Sequence, residues 1–159
     1  MVRKCAALAV LLAWVLLAGG PVRADLSPAI KDELAKSKYV YVSTSRKNGS
    51  FGKPAEIWFM YHNGAVYVAS PPSAWRVRRI KAGRNLAKIA VGKTDGSSFT
   101  ATGTLANEPE VHPVLFETFA KKYPEGWPRF ENEFRRGLSS GSRVLIKYVP
   151  KQTDVSDRH

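Results

Sequence analysis

The chain has 159 residues, 25 Lys and Arg against 13 Asp and Glu, and a formal net charge of +12. Its single cysteine excludes an intramolecular disulfide and any metal site built on several thiolates. One hydrophobic core is expected at this length, and so strong a positive balance suits polyanions, anionic lipid surfaces or phosphorylated ligands.

Residues 1–24 read as a secretory signal: Arg3 and Lys4, an apolar stretch from Cys5 to Ala18, helix-breaking Gly19, Gly20 and Pro21, then Val22-Arg23-Ala24 before a cut. The apolar run is about 14 residues, short of the roughly 20 a helix needs to cross a bilayer, so no permanent membrane span is expected. Cleavage after Ala24 would deliver a secreted or periplasmic protein and remove Cys5. Losing Arg3, Lys4 and Arg23 would lower the formal charge from +12 to +9. Export disfavours nucleic acid as the ordinary partner.

Beyond the signal, Ser27 to Lys36 predicts a short amphipathic helix, with Ser27 as cap, Pro28 in its first turn and Ile30 and Leu34 as an apolar pair. Tyr39 to Thr44 is β-branched and aromatic and reads as strand one, ending at the turn Lys47-Asn48-Gly49-Ser50. Ala55 to Tyr61 and Ala65 to Ser70 flank Asn63-Gly64, which supplies the positive φ of a tight hairpin, so strands two and three should be antiparallel neighbours.

Pro71 and Pro72 end strand three, and Ser73 is expected to cap a helix from about Ala74 to Ala82. Val77 and Ile80 would face the core, with Arg76 and Arg79 on one flank and Arg78 and Lys81 on another. An anion could sit at the helix start near Ser73 and Arg76. The alternative is a solvated basic surface, and Arg84, beyond the helix, reads as an exposed cation. Leu86 to Val91 and Ser98 to Ala106 are strands four and five, Glu110 to Lys122 and Pro128 to Arg136 are helices, and Arg143 to Val149 is strand six. Residues 25–150 form one domain and 151–159 a polar tail. Six antiparallel strands with inserted helices predict a mainly β, α+β fold forming one small closed or partly closed barrel.

His62 and His112 have no partner at metal-binding spacing, so no metal site is expected. Trp58, Trp75 and Trp127 read as core or interface anchors. No nucleophile triad, Gly-rich phosphate loop or carboxylate pair stands out, and no catalytic side chain is nominated.

The order of strand, turn, PAEIWFMYHNGAVYVASPPSAWRVRRIKAGRNLAKIAV, turn, FTATGTLANEPE, helix with FAKKYPEGW and closing strand resembles the pyridoxamine 5'-phosphate oxidase-like family of flavin-binding split barrels. Arg76-Val77-Arg78-Arg79-Ile80 fits that family's basic, Val, basic, polar, Leu or Ile frame. The resemblance implies an FMN-binding split β-barrel and a homodimer with the cofactor in an interface groove. Arg76 would then be the phosphate cation, accompanied by Arg78, with Ser70 and Ser73 as hydroxyl donors. Glu56, Ile57 and Trp58 would lie along the isoalloxazine ring. Strand two lacks the Arg and Lys of true pyridoxamine phosphate oxidases, which argues against that particular activity. An FMN-dependent oxidoreductase acting on a small molecule is the leading expectation; the alternatives are a non-catalytic flavin or haem binder, a deazaflavin cofactor, and a basic exported protein that binds anionic surfaces.

Overall fold

The computed structural model describes residues 24–152, so the apolar signal segment and the end of the C-terminal tail lie outside the described residues. In chain order the elements are α1 (Pro28–Lys36), β1 (Val40–Thr44), β2 (Ala55–Ile57), β3 (Met60–His62), β4 (Ala65–Ser70), α2 (Trp75–Lys81), β5 (Leu86–Val91), β6 (Ser98–Ala106), α3 (His112–Lys122), α4 (Trp127–Ser140) and β7 (Val144–Pro150). A 3-10 turn, Pro109–Val111, leads into α3.

All the strands pair antiparallel, in the order β2-β1-β5-β6-β7-β4-β3. The two outermost strands, β2 and β3, are consecutive in the chain and separated only by Trp58 and Phe59. That short link draws the two ends of the sheet together and curls it into a split barrel. The expected single strand from Ala55 to Tyr61 is therefore corrected: the run divides, and the sheet has seven strands instead of six.

The division has a definite cause. Around the bend, Tyr123 Oη accepts from the Phe59 N–H at 3.0 Å and donates to the Lys38 carbonyl at 2.8 Å. Its ring stacks on Trp58 with centroids 4.2 Å apart. A bent backbone inside the protein must find partners for its polar groups, and Tyr123 supplies them.

Strand β4 is buried along its whole length. Val66 and Val68 enter the barrel core with Val40, Ile89 and Ile146. Ala65, Tyr67 and Ala69 point the other way, toward Leu115, Phe119 and Phe134 of α3 and α4. Period-two alternation thus serves two cores, one inside the barrel and one beneath the helices. The hairpin between β3 and β4 turns on Asn63 and Gly64, with φ of 49° and 72°, as an Asn-Gly turn requires. Ser27 Oγ accepts from the Ile30 N–H at 3.3 Å and caps α1.

Helix α4 runs from Trp127 to Ser140, longer than the expected Pro128 to Arg136, because the chain does not leave the helix until left-handed Gly141, with φ of 84°. At α2 the cap expectation is corrected. The Ala74 N–H bonds back to Pro71 O at 3.0 Å, so a turn carries the chain past Ser73, and Ala74 stands at the cap position without a side-chain bond.

Candidate functional site

Helix α2 packs on the barrel through Val77, which is fully buried, and the half-buried Ile80. That orientation is the one the spacing predicts. It turns Arg76 and Arg79 toward β1 and β4 and leaves Arg78 and Lys81 exposed.

Arg76 Nη1 donates to Ser70 Oγ at 2.9 Å, and Ser70 is wholly buried at the end of β4. Arg79 Nη1 donates to both the carbonyl and the hydroxyl of Thr44, each at 2.8 Å. Each guanidinium is thus held by one nitrogen and keeps other N–H donors available. Burial lowers the Arg76 pKa from its ordinary value. A guanidinium stays charged even so, and a desolvated cation gains more from an anion than an exposed one.

Beside these two arginines lies a groove of about 460 Å³ lined by Arg46 and Lys53 from the loop between β1 and β2, by Arg76 and Arg79, and by Val42, Thr44, Ala55, Ala74 and Trp75. Four of the lining side chains are cations and none is an acid. The walls between them are apolar. Such a lining suits a ligand with an anionic end and a flat or greasy body. Gly52 lets the loop between β1 and β2 lie close to Arg79, since a Cβ there would come 2.8 Å from Arg79 Nη1.

Within reach of the Arg76 charge, the Tyr148 hydroxyl is buried and has no hydrogen-bond partner among the described residues. Burial pushes its pKa up to about 12, with the charge of Arg76 pulling in the opposite direction. Gly103 lies against the same ring, where an added Cβ would be 2.7 Å from Tyr148 Cε1.

Of the residues singled out in the sequence, Arg76 and Ser70 meet directly. Arg78 stands outside the groove with its guanidinium 4.6 Å from the centroid of the Trp75 ring. Ser73 is exposed in the turn before α2. The three β2-region residues separate. Glu56 is exposed and accepts from Tyr41 Oη at 2.5 Å, Ile57 enters the barrel core, and Trp58 joins the aromatic cluster of Tyr123, Phe119, Phe130 and Phe134. Only their neighbour Ala55 lines the groove. Arg84 is half-buried with its Nε enclosed and unpartnered, not the exposed cation expected at that position.

Sequence reasoning missed Arg46, Lys53 and Arg79 as groove residues. The available signal was the absence of acids from residues 45–54, which matches the absence from 71–85. Among the described residues no group of three or more His, Cys, Asp or Glu could hold a metal ion, and no helix is long and apolar enough to cross a membrane.

No protein-family model and no curated protein matches the chain by sequence. Solved structures match it in fold. A pyridoxamine 5'-phosphate oxidase-type protein from Listeria innocua is 16% identical with a TM-score of 0.56, covering 82% of this chain and 97% of its own. HutZ, the haem storage protein of Vibrio cholerae, is 17% identical with a TM-score of 0.55, covering 82% and 93%. An F420 reductase is 16% identical with a TM-score of 0.50, covering 77% and 93%. The chain has the split-barrel fold of these pyridoxamine 5'-phosphate oxidase-like proteins.

Proposed function

We propose that the protein is an exported flavin-binding split barrel whose ligand is FMN, with its phosphate held in the groove beside α2. The observation that carries this reading is the lining: four cations, no acid, and apolar walls in a volume within the roughly 300–1,000 Å³ of small-molecule sites. Arg76, anchored on Ser70, and Arg79, anchored on Thr44, would grip the phosphate, and Arg46 and Lys53 would neutralise it from the facing loop. Val42 and Ala55 would exclude water from the ring system.

When bound, FMN supplies hydride or electron transfer, and the oxidoreductase reading rests on that chemistry; the chain's own residues bind, orient and shield. A deazaflavin with a phosphorylated tail meets the same cations. Haem is less well served, because the lining residues include no His, Cys, Met or Tyr to ligate iron. The likeness to HutZ keeps haem in the test.

An absorption spectrum of the purified protein, with mass spectrometry of the released ligand, tests the reading. A flavin spectrum and the mass of FMN are expected. A Soret band, or a colourless protein that does not take up added FMN, would overturn it. The homodimer, in which a second copy completes the groove, predicts twice the chain mass by light scattering in the FMN-loaded state; a loaded monomer refutes it. Export predicts a native N-terminus at Asp25, and one at Met1 or Val2 refutes processing.

A further inference from the structure

Residues 45–54 and 71–85 carry eight Lys and Arg and no Asp or Glu. The fold sets these segments side by side through the contacts of Arg79 with Thr44 and Gly52. Elsewhere cations find acids: Lys31 with Asp25, Lys93 with Asp95, Lys121 with Glu117 and Lys147 with Glu108 are examples. None of the ion pairs among the described residues uses a cation from the two basic segments. Cations without an ion pair also occur singly elsewhere, at Lys88, Lys122, Arg129, Arg136 and Lys151, but they are densest in these two acid-free segments.

The groove accounts for Arg46, Lys53, Arg76 and Arg79. Of the other four, Arg84 is half-buried, and Lys47, Arg78 and Lys81 are exposed and outside the groove. Among them stands Trp75, 64% exposed, against 36% for Leu105 and Val114, the other exposed large apolar residues among those described. The Arg78 and Arg79 guanidinium carbons lie 4.6 and 5.6 Å from the centroid of its ring. A large aromatic side chain left in water amid cations is the side-chain pairing that suits a membrane interface, where the ring enters the headgroup region and the cations meet phosphates.

We infer that the outer face of α2, with the loop between β1 and β2, docks on an anionic phospholipid surface through Trp75, Lys47, Arg78 and Lys81. This inference does not depend on the identity of the groove's ligand. Charge complementarity selects the occupant. A second copy that set this outer patch against its own counterpart across a two-fold axis would oppose cation to cation, so the dimer proposed above is one that meets the groove and leaves the outer side of α2 free. Nucleic acid would satisfy the charge, but a base stacking on Trp75 would compete with the Arg78 and Arg79 guanidinium groups already near its ring. With no helix among the described residues long enough to span a bilayer, the attachment is peripheral.

Co-sedimentation of the full chain with vesicles tests the inference, comparing pure phosphatidylcholine with a mixture of phosphatidylcholine and phosphatidylglycerol. Binding that requires phosphatidylglycerol and weakens with salt is expected. The combined variant Lys47→Glu, Arg78→Glu, Lys81→Glu should lower the anionic partition coefficient by at least about 100-fold. Trp75→Ala should lower it about tenfold, the equivalent of ~60 Å² of apolar surface returned to water. It should also reduce quenching of tryptophan emission by brominated lipid. Lys36→Glu, Lys93→Glu, Lys121→Glu makes the same change of net charge at other sites and should cost less than about threefold. Thermal unfolding of each variant establishes that it is folded. Absence of phosphatidylglycerol-dependent binding, equal losses from the two charge reversals, or unchanged quenching in Trp75→Ala overturns the proposal. Displacement from the vesicles by an equal charge concentration of single-stranded oligonucleotide would assign the face to nucleic acid instead.

Discussion

Replacing Arg76 by Ala tests whether the groove holds a phosphate. In the folded protein one guanidinium nitrogen is committed to the buried Ser70 hydroxyl at 2.9 Å, which fixes the remaining donors relative to the groove. Deleting a charge-assisted hydrogen bond of this kind costs about 1.5 to 3 kcal/mol of binding, roughly a 10- to 150-fold rise in Kd for FMN. Lys81→Ala is the matched control. Lys81 lies on the same helix but is exposed and outside the groove, where a cation contributes only ~0 to 1 kcal/mol. Titration of FMN and riboflavin, followed by flavin fluorescence, separates the phosphate from the ring: riboflavin should bind both variants alike. Arg76→Lys should recover part of the loss, since an ammonium keeps the charge but not the planar fork. Equal losses for FMN and riboflavin, or equal effects of Arg76→Ala and Lys81→Ala, would refute the phosphate role.

Tyr123→Phe removes the hydroxyl that serves the bend between β2 and β3 and leaves the buried Phe59 N–H unpaired. A loss of about 1 to 3 kcal/mol, or roughly 3 to 10 °C in Tm, is expected by calorimetry, and an unchanged Tm would show that water replaces the hydroxyl. Gly103→Ala places a Cβ 2.7 Å from Tyr148 Cε1 and 3.1 Å from Ile80 Cδ1, so it should destabilise by about 1 to 3 kcal/mol in urea unfolding and loosen α2. Tolerance of the methyl would mean that the Tyr148 ring moves freely. Burial lowers Lys122 from 10.5 to about 8, while its ammonium sits 3.2 Å from the centre of the Phe59 ring. Between pH 8 and 10.5 the unfolded chain holds a proton that the folded protein has released, so this lysine makes stability rise with pH through that window. The stability advantage of Lys122→Met over the native chain should accordingly shrink from pH 8 to 10.5 in urea titrations, and a constant difference would refute the burial.

Local chemistry by itself determined much of the scaffold. The Asn63-Gly64 hairpin, the Ser27 cap, strands β4, β5 and β6 and the inward direction of Val77 follow from turn residues and periodicity, which depend on neighbours a few positions away. What was not legible involves distant partners. The run from Ala55 to Tyr61 is uniformly strand-like, and it divides only because Tyr123 reaches the backbone of Phe59 from 64 positions along the chain. Ser73 has the chemistry of a cap, but the Pro71 turn moved the helix start beyond it. Arg76 and Ser70 were brought together by the family resemblance, whereas the residues alone pointed to Ser73, and the folded chain joins Arg76 to Ser70 by a hydrogen bond. Arg46 and Lys53 reached the same groove only through strand pairing and the packing of α2 on β1, and Trp58 left the groove side for the aromatic cluster below α3 and α4. Charge composition announced an excess of cations. Closure of the barrel decided which of them met acids and which were gathered, unpaired, on one face, because pairing depends on distances that only the folded chain sets.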